Sequence, residues 1–145
     1  MKTLRVLHLD GAYPAWNDRH LASVDFTIEL TSETEADKMS GAGGMRYGTS
    51  PRSRELAAGA TPDRYDAVII GNNRGHGQER AKLIPVAMRD RTMIVWNAFT
   101  PGEEAPYRWL GFSHFGQRHV IGPREVGILS EWEFIKQMAA AMASP

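Results

Sequence analysis

The chain has 145 residues, 42 % of them hydrophobic and 23 % charged, which is the size and composition of one soluble globular domain able to bury a core. Seventeen basic residues balance 17 acidic ones, so net charge gives no electrostatic case for nucleic acid or an anionic membrane, and small ligands or proteins are the expected partners. The absence of cysteine excludes disulfides, thiolate metal sites and cysteine nucleophiles.

The opening "MKTLRVLHLD" carries too short an apolar run for a signal peptide, and no later segment approaches a membrane span; a cytoplasmic location is the default expectation. Residues 4–9 read as a buried strand that ends at Asp10 and Gly11. Pro14 is suited to the first position of a helix with Trp16, Leu21 and Val24 near one face. In "DFTIEL", residues 25–30, apolar and polar side chains alternate as in an edge strand with one drier face. The pattern then blurs. Short helices are expected at residues 32–38 and 52–58, and the glycine-, serine- and arginine-rich stretch about 39–54 reads as a flexible insertion after the second strand.

Residues 67–70 form a continuous apolar run, as in a strand covered on both faces. A glycine-punctuated loop, "GNNRGHG", follows, then Leu83, Ile84, Ala87 and Met88 supply an apolar helical face. Pro85 requires that helix either to start late or to bend. Residues 93–96 give another buried strand. Thr100, Pro101 and Glu103 make a capping box, with Gly111 as a stop and Pro106 shortening the regular part. The last strand is expected within residues 118–121, and Ser130 with Glu133 opens a final helix bearing Trp132, Ile135, Ala139 and Met142. Five strands alternating with helices predict a three-layer α/β domain with an open, mostly parallel sheet.

This order of elements resembles the receiver domain of bacterial response regulators, a flavodoxin-like fold with strand order 2-1-3-4-5. "RVLHLDG" sits where receivers have the first strand and its acidic pair, and "YDAVIIG" where the third strand ends in the phosphorylated aspartate. "TMIVWNA" matches the fourth strand with its terminal hydroxyl residue, and "LGFSHFGQRH" the stretch leading through the fifth strand. Receiver chemistry needs acidic groups for a divalent cation, an aspartate nucleophile, a hydroxyl and a lysine. Carried over, Asp10 keeps one acid, Gly11 replaces its partner, Gly71 takes the phosphoacceptor position, Asn97 replaces the hydroxyl residue and Arg118 stands near the lysine position. The resemblance therefore implies a degenerate receiver, a pseudo-receiver without aspartyl phosphorylation.

In such a sheet the loops beyond the carboxyl ends of the strands share one rim, where ligands bind. Asp10, Asn72, Asn73, Arg74, His76, Asn97, Arg118 and Arg46 are the candidate ligand contacts there. Gly71, Gly75 and Gly77 permit close backbone approach to an anion, or simply a tight turn that satisfies itself. Their spacing matches neither a Walker loop nor a dinucleotide fingerprint. His76 suits a general base or a solvated loop position. The five histidines show no helical zinc spacing, and a buried, hydrogen-bonded His8 is the simpler reading of the one beside Asp10. Arg46, Arg52 and Arg54 form a local basic cluster, suited to clamping a phosphorylated ligand or to a solvated loop.

Trp96, Phe99, Tyr107, Trp109 and Phe112 concentrate aromatic area around the fourth strand and its helix. Tyr107, Trp109 and Phe112 are the candidate interface residues, with core packing as the competing role. Two functions stand as expectations. The first is a stand-alone signalling domain that binds a protein partner or a second copy of itself; the other is a small-ligand protein or enzyme handling a phosphorylated or nucleotide-like compound on the rim. Neither calls for a cofactor or a metal.

Overall fold

Five extended segments of this chain pair side by side in parallel, in the order β2-β1-β3-β4-β5. They are seen in a computed structural model that describes residues 2–9, 26–32, 37, 50–72, 75–96 and 100–116. The strands are β1 (Lys2–Leu9), β2 (Phe26–Ser32), β3 (Ala67–Gly71), β4 (Thr92–Trp96) and β5 (His114–Gly116). Among the described residues the helices are α1 (Pro51–Ala58), α2 (Gly77–Leu83) and α3 (Pro101–Trp109), and a 3₁₀ turn covers Val86–Asp90. The strand order and parallel pairing are those of the flavodoxin-like α/β fold. Among the described residues no helix is long and apolar enough to cross a membrane.

Strand register sorts the side chains. Leu7, Val68 and Met93 align across the sheet, as do Leu9, Ile70, Val95 and Phe115. These rows face the helices and pack with Leu56, Ala57, Ala81, Ile84, Met88, Tyr107 and Phe112 in one core. The opposite face carries Leu4, Val6, His8, Ala67, Ile69, Ile94 and Trp96, all buried as well. Both faces of the central strands are therefore dry, which is why β3 is a continuous apolar run. Among the described residues the alternating strand, β2, has only β1 beside it and forms an edge.

Local chemistry places the helix starts. Ser50 caps α1, its Oγ accepting from the Ser53 backbone N–H at 3.0 Å, with Pro51 in the first turn. Thr100 caps α3 in the same way, its Oγ1 accepting from the Glu103 N–H at 3.2 Å ahead of Pro101. Gly111, at φ +95°, takes the chain out of α3 through a left-handed conformation.

Several expectations shift. Residues 50–54 belong to the capped start of α1, with Ser50 and Ser53 buried, so the insertion expected to reach residue 54 ends before them. Of the helix expected at 32–38, Ser32 instead closes β2, and Asp37, the one described residue of the remainder, is helical. Pro85 neither delays nor bends α2: the helix stops at Leu83, Ile84 and Pro85 turn extended, and the chain re-enters a 3₁₀ turn. The expected apolar stripe thus splits, with Ile84 and Met88 buried while Leu83 and Ala87 face outward. Pro106 lies inside α3 without shortening it. The carbonyl it leaves without a helical donor belongs to Gly102, an exposed residue of the first turn, so no buried acceptor is stranded. The fifth strand pairs over His114–Gly116, upstream of residues 118–121. Those residues, the helix begun by Pro14, residues 39–49 and the final helix lie outside the described residues.

At the amino-terminal edge one residue, Asp66, ties three strands together through its backbone and side chain. The Asp66 carboxylate accepts from the Arg5 backbone N–H at 2.9 Å and meets the Arg5 guanidinium at 3.4 Å. The Asp66 N–H donates to the Arg5 carbonyl and its own carbonyl accepts from Thr92, so β1 and the starts of β3 and β4 meet there. Partial burial pushes the Asp66 carboxyl up, and the Arg5 N–H and guanidinium, with Arg91 behind them, outweigh it, leaving the pKa below its ordinary value. An ionised Asp66 then stabilises the fold above the unfolded-state pKa of about 3.9, and this contribution is lost as pH falls through the depressed folded value. Asp66→Asn is expected to cost about 1 kcal/mol at neutral pH, the part-exposed pair being screened by water. In urea unfolding the difference from wild type shrinks below about pH 4; a difference that holds constant into acid contradicts this assignment.

Candidate functional site

In this sheet the chain crosses from β1 to one side to form β2 and then to the other side to form β3, so the carboxyl ends of β1 and β3 flank the topological switch point. On the β3 side stand Gly71, Asn72, Gly75, His76 and Gly77. Asp10, Asn73, Arg74, Asn97, Arg118 and Arg46 lie outside the described residues.

Gly71 is the last residue of β3, level with Trp96 on β4. It presents no side chain where β3 reaches the rim. Asn72 follows and turns inward, only 2 % exposed. Its N–H donates to the Trp96 carbonyl at 2.8 Å, and its carbonyl accepts from both Gly75 and Gly77, at 2.9 and 3.0 Å. Its side-chain Oδ1 accepts from the Tyr107 hydroxyl at 2.7 Å, while its Nδ2 donates to Glu103 Oε2 at 2.8 Å. The amide orientation follows from chemistry, since an ionised carboxylate only accepts. Asn72 was expected to contact a ligand. The structure instead commits its backbone to the loop and β4 and its side chain to α3, because a buried amide of this kind is costly unless internally paired.

Gly77 makes this closeness possible. A Cβ there would stand 2.8 Å from the Tyr107 hydroxyl and closer still to the Gly71 carbonyl. The start of α2 therefore rests directly on the end of β3. Gly75, at φ +93°, supplies the left-handed turn that brings the chain round. The glycines of "GNNRGHG" serve close packing and turn geometry, with the loop amides of Gly75 and Gly77 occupied by Asn72.

Tyr107 and Phe112 were expected as interface residues and are core residues instead. Both are buried in the helix-side core, with rings edge to face at 6.0 Å. The position of Tyr107 on the inner side of α3 aims its hydroxyl at Asn72. Burial raises the pKa of that hydroxyl above its usual 10; Arg80 pulls against the shift and Glu103 adds to it, so the group is a neutral donor. Trp109, on the same helix, is the exposed one of the three. Beside it the Arg108 guanidinium lies 4.4 Å from the centre of the Phe115 ring and 3.4 Å from Glu104.

His76 occupies the position ahead of α2, partly exposed, with no capping bond from its side chain. His8 is buried on the opposite sheet face, in a row with Ser32, Ile69, Ile94 and His114. Among the described residues no three histidines, cysteines or acids come together in a way that could hold a metal. One residue escaped sequence reasoning. Arg80 is fully buried, its Nε donating to Ser53 Oγ at 3.0 Å. Gly77, Arg80, Ala81 and Ile84 keep the i, i+3, i+4, i+7 spacing of an inward helical stripe, but an arginine in that stripe reads as polar and hides the pattern.

The Asn72 brace is open to measurement. Asn72→Ala strands the buried Tyr107 hydroxyl and weakens the hold on Glu103, for an expected loss of about 2–3 kcal/mol, against about 1 kcal/mol for Tyr107→Phe. In a double-mutant cycle the two changes couple by about 1 kcal/mol; strict additivity would dismiss the bond. Gly77→Ala is expected to cost at least about 2 kcal/mol by forcing α2 off β3.

Compared with known proteins, the chain matches no family model, and no curated protein matches it in sequence.

Proposed function

We propose that this protein is a receiver-like signalling domain that works by binding another protein, with no aspartyl phosphotransfer. The observation that carries the reading is the end of β3: Gly71 offers no nucleophile there, and the next side chain, Asn72, is turned into the fold by Tyr107 and Glu103. A phosphoryl acceptor has to present an oxygen to solvent and substrate. Neither residue does so. Binding is supported by the opposite end of α3, where Trp109 offers a large aromatic surface to solvent. Its partner in this reading is a protein or a second copy of the chain.

The alternative, a phosphorylated or nucleotide-like compound on the rim, has to do without the Asn72 side chain and without the Gly75 and Gly77 amides, all of which bond internally. Acetyl phosphate with magnesium is expected to leave the mass of the intact protein unchanged; a labile phosphoryl adduct refutes the reading. A screen of nucleotides and phosphorylated metabolites is expected to leave the melting temperature where it was, whereas a ligand that binds only the folded state would raise it.

A further inference from the structure

We infer that the amino-terminal edge of the sheet carries a docking surface for an acidic protein segment with apolar residues beside its carboxylates, built from Val86, Arg89 and Trp109 around Gly111. This rests on the protein-binding reading and names the chemistry of the partner.

The placement follows from topology. The 3₁₀ turn Val86–Asp90 leads into the amino end of β4, and α3 runs back from the carboxyl end of β4 to deliver Trp109 and Gly111 at the amino end of β5. In a 3₁₀ turn residues three apart stand on one face, so Val86 and Arg89 share a side. Buried Met88 holds the turn to the core from another side. Arg89 then lies along Gly111: a Cβ on that glycine would meet Arg89 Cγ at 2.7 Å and Cδ at 2.9 Å. Gly111, already left-handed at φ +95°, is thus the bed on which the Arg89 stem rests.

Two exposed apolar residues belong to the same segments as this arginine and its glycine bed. Trp109, two residues before Gly111, is 79 % exposed, and Val86 is 69 % exposed. Isolated exposed hydrophobics are ordinary. Here the two most exposed large ones among the described residues are Val86, on the Arg89 face of the 3₁₀ turn, and Trp109, two residues before the glycine under the Arg89 stem. Arg108 is already engaged by Glu104 and Phe115, and Arg91 donates to the Pro62 carbonyl. Arg89 has no carboxylate partner among the described residues. Asp90 is its neighbour in sequence but stands about 120° round the turn.

An uncommitted guanidinium is the chemistry that recognises a carboxylate, through its planar fork of donors. Tryptophan and arginine are the residues that most often dominate a protein interface. A nucleic acid backbone fits less well, since phosphate binding draws on several cations at once. The surface therefore suits an acidic peptide whose carboxylate pairs with Arg89 while apolar side chains cover Trp109 and Val86.

The probe is a synthetic peptide of alternating Leu and Glu pairs, titrated into the ¹⁵N-labelled full chain, with a Leu and Lys peptide of the same length beside it. The acidic peptide is expected to give saturable shifts at the Val86, Arg89, Leu110 and Gly111 amides, and the lysine peptide none. Arg89→Glu and Trp109→Ala, each checked for an unchanged circular dichroism spectrum, are expected to weaken binding about tenfold or more. High salt weakens it further. Equal response to both peptides, shifts elsewhere, no shifts at all, or unchanged affinity in Arg89→Glu would overturn the inference. So would a concentration-dependent dimer abolished by Trp109→Ala, since a second copy would then be the occupant. A phosphoryl adduct from acetyl phosphate bears only on the phosphotransfer-free reading, so the two failures are told apart.

Discussion

The carboxyl edge of this protein depends on one buried amide. Asn72 joins the end of β3 to β4 through its N–H, closes its own loop through its carbonyl, and reaches α3 through both ends of its side chain. A primary amide is the right group because it accepts and donates at once, meeting the neutral Tyr107 hydroxyl on one side and the Glu103 carboxylate on the other. An aspartate could satisfy the hydroxyl but would oppose Glu103. The Asn72 carbonyl, accepting from Gly75 and Gly77, bridges the two described ends of the loop from within.

That tie shapes what the rest of α3 does. Glu103 serves twice, taking the Asn72 Nδ2 and closing the helix cap with Thr100. One turn on, Tyr107 seals the core against Phe112 and fills the space left by Gly77. The helix is therefore held along its inner side, while Arg108 and Trp109 look outward. Among the described residues of the carboxyl edge, the Asn72 side chain is spent on structure, while Trp109 is exposed at the other end of the sheet. In the proposed reading, this division favours binding over phosphotransfer.

Much of the fold was legible because it rests on short-range patterns. The apolar runs near residues 67–70 and 93–96 have to be buried on both faces, and the alternation in "DFTIEL" suits the edge position that β2 occupies. The capping signal at Thr100 acts within a few residues of itself, whereas Ser50, read as part of the insertion, is revealed as a cap only by the structure. Pro85 and Pro106 were harder, because a proline's effect depends on where the lost donor would have pointed. Before Pro85 the helix has already ended; at Pro106 the orphaned carbonyl is in exposed backbone. The site was less legible still. Asn72 and Tyr107 are 35 residues apart, and Arg80 and Ser53 are 27 apart, so no local spacing announces either pair.

The sequence by itself determined the first four strands and their parallel arrangement in an α/β sheet, since these follow from residue type and periodicity alone; the fifth strand, expected within residues 118–121, pairs over His114–Gly116. Tertiary structure decided which polar groups are spent and which are free. Only when α3 folds back over the end of β3 does Asn72 become a brace and Tyr107 a core residue, and only the left-handed turn at Gly111 lays Arg89 across it with Trp109 outside. The reason is physical: burial and hydrogen bonding belong to pairs of groups, and the pairs exist only once distant segments are packed together.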